Sequence, residues 1–172
     1  MVRRATAADA GRIAEINIAA WRTAYRGLVS GEFLDGMRHD VYRRRWEDGL
    51  AGQVPSAAMF LAVGEDEEIR AYAYVSEARA VADRHPSPTG ELCAIYADPD
   101  WRGTGAGSAV HDAGLAHLTA EGFRRAILWV LVDNTPSRRY YARRGWRCDG
   151  ITQTVGLEDL VEVRYSRQLS SV

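Results

Sequence analysis

The residues of this sequence that could do chemistry centre on a glycine-rich segment at positions 102–107. It reads Arg-Gly-Thr-Gly-Ala-Gly, follows a strand-like stretch at 91–97 and precedes a helical pattern that begins near Ser108. The first N–H groups of a helix have no intrahelical partner and carry the positive end of the helix dipole, so they attract anions. Glycines let a phosphate approach that backbone without a clash against Cβ. The segment therefore predicts a diphosphate-binding turn, or else a turn that only joins strand to helix.

The spacing of these glycines argues against two other phosphate-binding motifs. No Lys-Ser or Lys-Thr pair of a P-loop is present, and the third glycine of a dinucleotide fingerprint would fall at Ser108 or Val110. A nucleotide-phosphate binder is therefore disfavoured. What remains is Arg-x-x-Gly-x-Gly, from Arg102 through Gly105 to Gly107.

Cysteine and histidine residues give no sign of a metal or of a nucleophile. Cys93 and Cys148 are far apart, which favours two buried thiols in a reducing cytoplasm. Cys93 lies in a predicted strand with no obvious histidine partner, so a small buried residue is expected there. The histidines show neither an i, i+4 pair nor an H-E-x-x-H motif, so no metal is expected. They are His39, His85, His111 and His117.

Composition indicates an ordinary globular protein. With 172 residues, of which 47% are apolar and 26% charged, we expect one domain over residues 1–172. The net charge of −1 gives no reason to expect binding to nucleic acid or to a membrane. Neither a long apolar run nor a signal peptide is seen, which favours a cytoplasmic protein.

Periodicity predicts a mixed α/β fold, in which a mostly antiparallel sheet is flanked by helices. A helix is expected to begin at Thr6 as N-cap, and another after Thr135 as N-cap with Pro136 in its first position. Residues 91–132 read as strand, helix and strand, a crossover that joins two parallel strands. Strands are predicted at 2–5, 57–63, 69–77, 91–97, 126–132, 146–148 and 161–169, helices at 31–50, 108–121 and 137–144, and a loop at 78–90.

The glycine segment resembles the pyrophosphate loop of the GCN5-related N-acetyltransferases (GNAT family), which bind coenzyme A. A second motif, Asn134-x-x-Ser137-x-x-x-Tyr141-x-x-x-Gly145-Trp146, is similar to the family pattern, with Trp146 in place of the usual Phe. The opening Trp21-x-x-Ala-Tyr25-x-Gly looks like one subgroup of that family. The order of predicted elements also fits the family's fold over nearly the whole chain.

The resemblance implies an N-acetyltransferase that uses acetyl-CoA as co-substrate and no metal. Residues at three places in the chain would bind the cofactor, and the strand at 91–97 would splay from its parallel neighbour to receive the pantetheine arm. The implied cofactor-binding residues are Ile95, Tyr96, Ala97, Arg102, Gly103, Thr104, Gly105, Ala106, Gly107, Ser108, Asn134, Ser137 and Tyr140. Trp21 and Tyr25 would form a wall of the acceptor site.

The resemblance also suggests catalytic roles. The N–H of Ile95 or Tyr96 would polarise the thioester carbonyl, and Tyr141 would give a proton to the leaving thiolate. The amine must lose a proton before it attacks, so Glu91 is the first candidate for the base and Glu77 the second. For each carboxylate a solvated strand end is an equally good reading, and Tyr141 could be a core tyrosine.

The acceptor and the partners stay open at this point. The acceptor could be a small-molecule amine or an amine of a peptide or protein, and loops 22–31 and 78–90 would shape its site. A homodimer is compatible with the sequence, and no nucleic acid or membrane partner is expected. The alternative to an enzyme is a non-catalytic module of the same fold that binds or senses acyl-CoA.

Overall fold

The computed structural model describes residues 1–52, 56–84 and 88–169 of the chain. Within this part the strands form one sheet of seven, in the order β1-β2-β3-β4-β5-β7-β6. Every neighbouring pair is antiparallel except β4 and β5, which are parallel. The strands are β1 (Val2–Arg4), β2 (Ala58–Val63), β3 (Ile69–Glu77), β4 (Thr89–Ala97), β5 (Arg125–Leu131), β6 (Arg147–Thr154) and β7 (Val161–Gln168). The mixed α/β fold expected from the sequence is confirmed.

Helices cover both faces of this sheet. They are α1 (Ala10–Ala24), α2 (Gly31–Asp35), α3 (His39–Ala51), α4 (Ala106–Ala120) and α5 (Thr135–Arg143). Ile13 and Ile16 of α1 pack with Leu61 and Tyr72 on one face, called here the α1 face. Leu118 of α4 packs with residues of the sheet on the opposite face, which is called here the α4 face. None of the helices within the described ranges is both long enough and apolar enough to cross a bilayer.

The start of the first helical segment follows the prediction from Thr6. The Thr6 N–H donates to the Asp9 carboxylate at 2.8 Å, and the Thr6 hydroxyl donates to the same oxygen at 3.0 Å. Arg3 holds Asp9 from the other side at 2.7 Å. Hydrogen bonding to Arg3 lowers the pKa of Asp9 to about 2. The short turn Ala7–Asp9 thus leads directly into α1.

The prediction of one helix over residues 31–50 is wrong, because the chain leaves the helix between α2 and α3. The carbonyls exposed by this break are satisfied from outside. Arg22 donates to the carbonyl of Leu34 at 3.0 Å and to that of Met37 at 3.3 Å. Met37 itself is buried in a small cluster with Leu34. The contact with Arg22 of α1 therefore accompanies a break in a helix that hydrophobic periodicity alone predicts to be continuous.

Four boundaries also differ from the prediction. Asn134, rather than Thr135, is the N-cap of α5, since its side chain accepts from the Ser137 N–H at 3.2 Å. The helix after the glycine segment begins at Ala106 rather than Ser108. β6 extends to Thr154 instead of ending at Cys148, although most of its residues are exposed. Part of the expected loop 78–90 is a 3₁₀ turn followed by the start of β4, and His85 and Pro86 lie outside the described residues.

The two parallel strands separate soon after they begin. Backbone pairing between β4 and β5 covers only Thr89, Gly90 and Glu91 with Arg125, Ala126 and Ile127. On the other side of β4, Tyr74 pairs with Ala94 and Val75 with Leu92, so Cys93 is the extra residue of a β-bulge. A gap therefore opens between β4 and β5 in the middle of the sheet, as the resemblance implied.

Candidate functional site

The gap between β4 and β5 is the centre of a cavity of about 590 Å³. Residues of both strands line it, including Ile95 and Tyr96 on β4 and Trp129 and Leu131 on β5. Since strand side chains alternate, the two faces of the sheet contribute to opposite ends of the cavity. Its walls thus connect the α1 face with the α4 face.

Strand alternation shows which end belongs to which face. Leu128, Val130, Val163 and Tyr165 pack in the core beneath α4. Their neighbours Trp129, Leu131, Glu162 and Arg164 must therefore point to the α1 face. On β4, Ile95 and Ala97 pack on the α4 side, while Ala94 and Tyr96 pack with the residues of α1. The cavity accordingly has one end near the start of α4 and α5 and another end near α1.

Free backbone donors concentrate at the α4 end. Gly105 is the N-cap of α4 with a φ of 90°, and Gly103 has a φ of 78°, both in the left-handed region that glycine tolerates. The N–H groups of Ala106, Gly107 and Ser108 make no hydrogen bond to any described residue, as expected for a first helical turn.

The space above this turn is open. A Cβ built on Gly103 or Gly105 meets no protein atom within 4 Å, and one built on Gly107 meets only Ala97 Cβ at 4.0 Å. Arg102, exposed and without an ion pair to any described residue, lines the same cavity. This turn therefore offers donors, a cation and room for a diphosphate.

The start of α5 borders the turn from the other side. Asn134 is 3% exposed and lines the cavity together with Ser137. Its carbonyl oxygen caps α5, and its NH₂ group faces the Tyr25 hydroxyl, so a ligand would meet this group beside Tyr25.

Tyr141 lies on α5 and lines the cavity at the gap. Its ring packs against Tyr140, Trp146 and Tyr165, with centroids 5.4, 6.4 and 6.4 Å away. Burial raises the pKa of Tyr141, so the phenol is protonated at neutral pH. Its hydroxyl makes no hydrogen bond to a described residue and is available to a ligand.

Trp21 and Tyr25 form a wall of the cavity at the α1 end. Their rings meet edge to face with centroids 4.6 Å apart. The hydroxyls of Tyr25 and Tyr96 lie 3.4 Å from each other. Burial raises the pKa of both tyrosines, so both are neutral hydrogen-bonding groups.

Glu91 lines the cavity but is 1% exposed and already paired. Its carboxylate accepts from the Arg79 N–H at 2.8 Å and from the Arg79 guanidinium at 3.0 and 2.6 Å. This hydrogen bonding raises the pKa of Arg79. The structure thus places the first candidate base inside a closed ion pair.

Glu77 lies elsewhere. Its carboxylate is 3.5 Å from Arg84, its side chain is 42% exposed, and it is absent from the lining of the cavity. The two carboxylates singled out from the sequence are therefore not brought together at the gap.

A third carboxylate, missed by sequence analysis, does line the cavity. Glu162 on β7 accepts from the Gln153 amide at 2.9 Å, and both residues are part of the wall at the α1 end. The sequence of β7 alternates Val161, Val163 and Tyr165 with polar residues, which suggests that Glu162 faces solvent. Only the pairing of β7 beside β5 reveals that this polar face borders the gap.

The two cysteines differ in their surroundings. Cys93 lines the cavity at the bulge of β4, and its sulfur is 3.2 Å from the Ser76 hydroxyl. Burial raises the pKa of Cys93 to about 11, which disfavours the thiolate that a nucleophile needs. Cys93 is half-buried and Cys148 is exposed on β6, so the expectation of two buried thiols is wrong.

Tyr140 points away from the gap, into a shallow depression between α4 and α5. That depression is lined by Ser108, Asp112, Tyr140, Arg143, Arg144 and Arg167. Beneath it, the Trp146 indole donates to His111 Nε2 at 2.9 Å, and His111 Nδ1 lies 2.8 Å from the Asp112 carboxylate. Trp146, which replaces the usual Phe, thus has a hydrogen-bonding partner that a phenylalanine could not use.

The family comparison agrees with this geometry. Residues 14–146 match the model of the Acetyltransferase (GNAT) family. The chain is 28% identical over 141 residues to the uncharacterized N-acetyltransferase YuaI of Bacillus subtilis (strain 168), covering 81% of this chain and 76% of that one. It is 42% identical over 69 residues to the mycothiol acetyltransferase of Actinosynnema mirum, covering 38% of this chain. The chain spans only 23% of the length of that mycothiol enzyme.

Solved structures share the fold. The PaiA N-acetyltransferase of Thermoplasma acidophilum, in complex with coenzyme A, superposes with a TM-score of 0.78 at 14% identity, covering 98% of each chain. An N-acetyltransferase of Staphylococcus aureus Mu50 gives a TM-score of 0.73 at 20% identity, covering 99% of this chain and 98% of that chain. At these identities the likeness concerns the fold.

Proposed function

The chain belongs to the Acetyltransferase (GNAT) family, and on that premise we propose that it transfers an acetyl group from acetyl-CoA to a primary amine. Transfer is direct, within a complex that holds both substrates. The observation that carries the proposal is the cavity through the sheet. It joins free N–H donors at the start of α4 to an aromatic and carboxylate-lined chamber on the α1 face.

The turn at 103–108 would hold the diphosphate of coenzyme A. Gly103, Thr104, Gly105, Ala106, Gly107 and Ser108 would contribute this backbone, with Arg102 alongside. The open space over the glycines supports this role, because a diphosphate needs room where a Cβ would project.

Acetyl-CoA supplies the acetyl group as a thioester. The edge of β4 that β5 leaves unpaired would receive the pantetheine arm along Ile95, Tyr96 and Ala97. Backbone N–H groups of an antiparallel strand point alternately to its two sides, so some on this edge face the gap. One such donor, from Ile95 or Tyr96, would stabilise the negative charge that develops on the thioester oxygen, an effect worth about 3 kcal/mol.

Residues of α5 would act on the sulfur side of the bond. Asn134 would donate its NH₂ group to an amide carbonyl of the pantetheine arm, and Ser137 and Tyr140 would add contacts further along the cofactor. Tyr141 would donate its phenolic proton to the leaving sulfur. Its position supports this role, because the hydroxyl lines the cavity at the gap and forms no hydrogen bond with a described residue.

The base of the reaction is a carboxylate of the cavity or one near it. Glu91 borders the cavity, but both of its carboxylate oxygens already accept hydrogen bonds from Arg79. Glu77 could act only through intervening water, because it lies outside the cavity lining. Trp21 and Tyr25 would contact the acceptor.

Turnover in the presence of amines tests the proposal. The protein is mixed with acetyl-CoA and a panel of primary amines, and released thiol and acetylated amine are quantified separately. Equal amounts of both products are expected. Tight binding of acetyl-CoA without thiol release from any amine would favour the alternative, a non-catalytic module that binds or senses acyl-CoA.

A further inference from the structure

We propose that Glu162 binds the ammonium group of the acceptor, and that the acceptor is a small amine with one positive charge and an apolar body. The inference rests on the proposed function and names the acceptor class of the same site. It assigns to β7 the role that sequence analysis gave to Glu91.

The charges of the cavity lining single out Glu162. The charged residues of the described lining are Arg79, Glu91, Arg102 and Glu162. Arg102 lies at the diphosphate end, and Arg79 is neutralised by Glu91 at 2.6 Å. Glu162 accepts a hydrogen bond from neutral Gln153 but has no cation within ion-pair distance among the described residues. Arg79 also attracts Glu162 electrostatically, but one Arg79 faces two carboxylates, Glu91 and Glu162, so this part of the cavity keeps one net negative charge.

The other cations near Glu162 are already engaged. Arg164, two residues along β7 on the same face, is 8% exposed and bonds Asp83 and, at 2.8 Å, Asp149. Both partners are carboxylates, so the positive charge of Arg164 is already matched, and Arg164 forms no ion pair with Glu162. A buried or half-buried carboxylate without a partner is costly, and an ammonium ligand removes that cost.

The walls around Glu162 describe the rest of the acceptor. Trp21 of α1 and Tyr25, which caps the end of that helix, present aromatic rings. Apolar residues between β6 and β7 face the same chamber. These apolar residues are Val155, Leu157 and Leu160. Aromatic rings beside a carboxylate suit an ammonium group attached to a flat or branched hydrocarbon.

The further polar groups of this chamber already have partners: the Tyr25 and Tyr96 hydroxyls lie 3.4 Å apart, and the Gln153 amide donates to Glu162. An acceptor with many hydroxyls or a second ammonium would leave polar groups unpaired there. The volume of about 590 Å³ must also accommodate the pantetheine arm, which restricts the acceptor to a small molecule. A simple aryl-alkyl amine meets all these conditions.

The proton balance follows from this placement. The ammonium pairs with Glu162 and transfers one proton to its carboxylate, directly or through water, and Glu162 later releases that proton to solvent. The neutral nitrogen then forms the C–N bond as the C–S bond breaks. After the C–N bond forms, the nitrogen loses a second proton. This proton passes through water to Tyr141 and replaces the proton that Tyr141 gave to sulfur. Overall, an ammonium and a thioester become an amide, a thiol and one free proton.

The test compares Glu162→Gln with Glu162→Asp and Glu91→Gln, using 2-phenylethylamine as the acceptor probe. Glu162→Gln keeps the shape and removes the charge, so kcat/KM should fall by about 10- to 100-fold, as for a lost hydrogen bond to a charged group. Glu162→Asp should retain more of the activity. Affinity for acetyl-CoA, measured by calorimetry, should be unchanged in all three variants.

An uncharged competitor separates charge recognition from a structural defect. Inhibition by 2-phenylethanol should be equal in the wild type and in Glu162→Gln, because this alcohol has no charge for Glu162 to recognise. Loss of alcohol binding together with amine turnover would mean a distorted chamber and would overturn the assignment.

Two further outcomes also decide against the inference. If the wild type acetylates 2-phenylethylamine and Glu162→Gln does so equally well, Glu162 does not bind the ammonium. If the wild type acetylates glucosamine or 1,4-diaminobutane but not 2-phenylethylamine, the acceptor class is wrong. A wild type that binds acetyl-CoA and releases no thiol with any amine contradicts the proposed function itself.

Discussion

Tyr141 lies at the gap between β4 and β5, where its hydroxyl can act as a general acid. A half-buried, protonated phenol that faces the gap can donate a proton when a thiolate forms, but contributes little before then. Tyr141→Phe should therefore lower kcat by about 10²- to 10⁴-fold, the usual contribution of a general acid, and leave the Kd for acetyl-CoA nearly unchanged. Single-turnover kinetics and calorimetry measure the two quantities.

Tyr42→Phe provides a matched control for this substitution, since Tyr42 lies on α3 and is absent from the cavity lining. It should leave kcat unchanged. An unchanged kcat in Tyr141→Phe, under conditions in which chemistry limits the rate, would leave Tyr141 as a packing residue.

Gly107 gives a clean test of the diphosphate turn. A side chain at Gly105 would also strain the backbone, because φ is 90° there, whereas Gly107 is helical and a Cβ meets only Ala97 at 4.0 Å. Gly107→Val should therefore keep the fold but weaken coenzyme A binding by at least about tenfold, or ~1.4 kcal/mol. Calorimetric titration measures the affinity and thermal unfolding checks the fold. Undiminished affinity would contradict the placement of the diphosphate.

His111 predicts how stability depends on pH. It is fully buried, and burial lowers its pKa from the ordinary value near 6.5. The unfolded chain therefore binds a proton in a pH range where the folded chain does not, so the free energy of unfolding should fall as pH decreases below about 6.5. Asp9 has a pKa of about 2 in the folded protein, so its protonation lowers the free energy of unfolding further only at pH values below about 4.

Urea unfolding at pH 7.5 and at pH 5.5 measures this dependence. His111→Leu removes the titrating group, so its stability should change less between the two pH values than that of the wild type. An equal change in both proteins would mean that His111 is not the group responsible.

At the scale of the elements, the approach of α4 to the sheet can be tested with a glycine. A Cβ at Gly114 would lie 2.9 Å from Val75 Cγ1, whereas a Cβ at Gly49 of α3 meets nothing within 4 Å. Both glycines are helical. Gly49→Ala should raise the free energy of unfolding by up to about 1 kcal/mol, from helix propensity alone.

Gly114→Ala gains the same propensity but overpacks the core, which costs about 1–3 kcal/mol, so its stability should fall or at best stay level. Denaturant unfolding of both variants measures the difference. If both substitutions stabilise the protein equally, α4 does not pack as closely on β3 as described.

The elements that the sequence predicted well are the largely buried ones. β3 alternates small apolar and aromatic residues, and β5 is an uninterrupted apolar run, so both were placed within two residues of their ends. β6 was largely missed because it is an edge strand whose residues are mostly exposed, and no apolar period marks it. The break between α2 and α3 was missed because it depends on Arg22, a residue of another helix.

At the scale of the whole molecule, the two ends of the cavity differed in how far they could be predicted. The diphosphate end is built from consecutive residues, so its glycines and the helix start are visible in the chain. The acceptor end is assembled from α1, β4 and β7, which are distant in sequence. Glu162 reaches it only because β7 lies between β5 and β6, a strand order that local patterns do not reveal.

The central claim is that both substrates meet in one cavity and that the acetyl group passes directly between them. Rapid mixing with acetyl-CoA, followed by quenching and mass spectrometry, tests this most directly. Without an amine, we predict neither released coenzyme A nor acetylated protein, since the thiol of Cys93 is protonated. With 2-phenylethylamine, coenzyme A and the acetylated amine should appear together at equal rates. A burst of coenzyme A without amine, with acetyl bound to the protein, would contradict the claim.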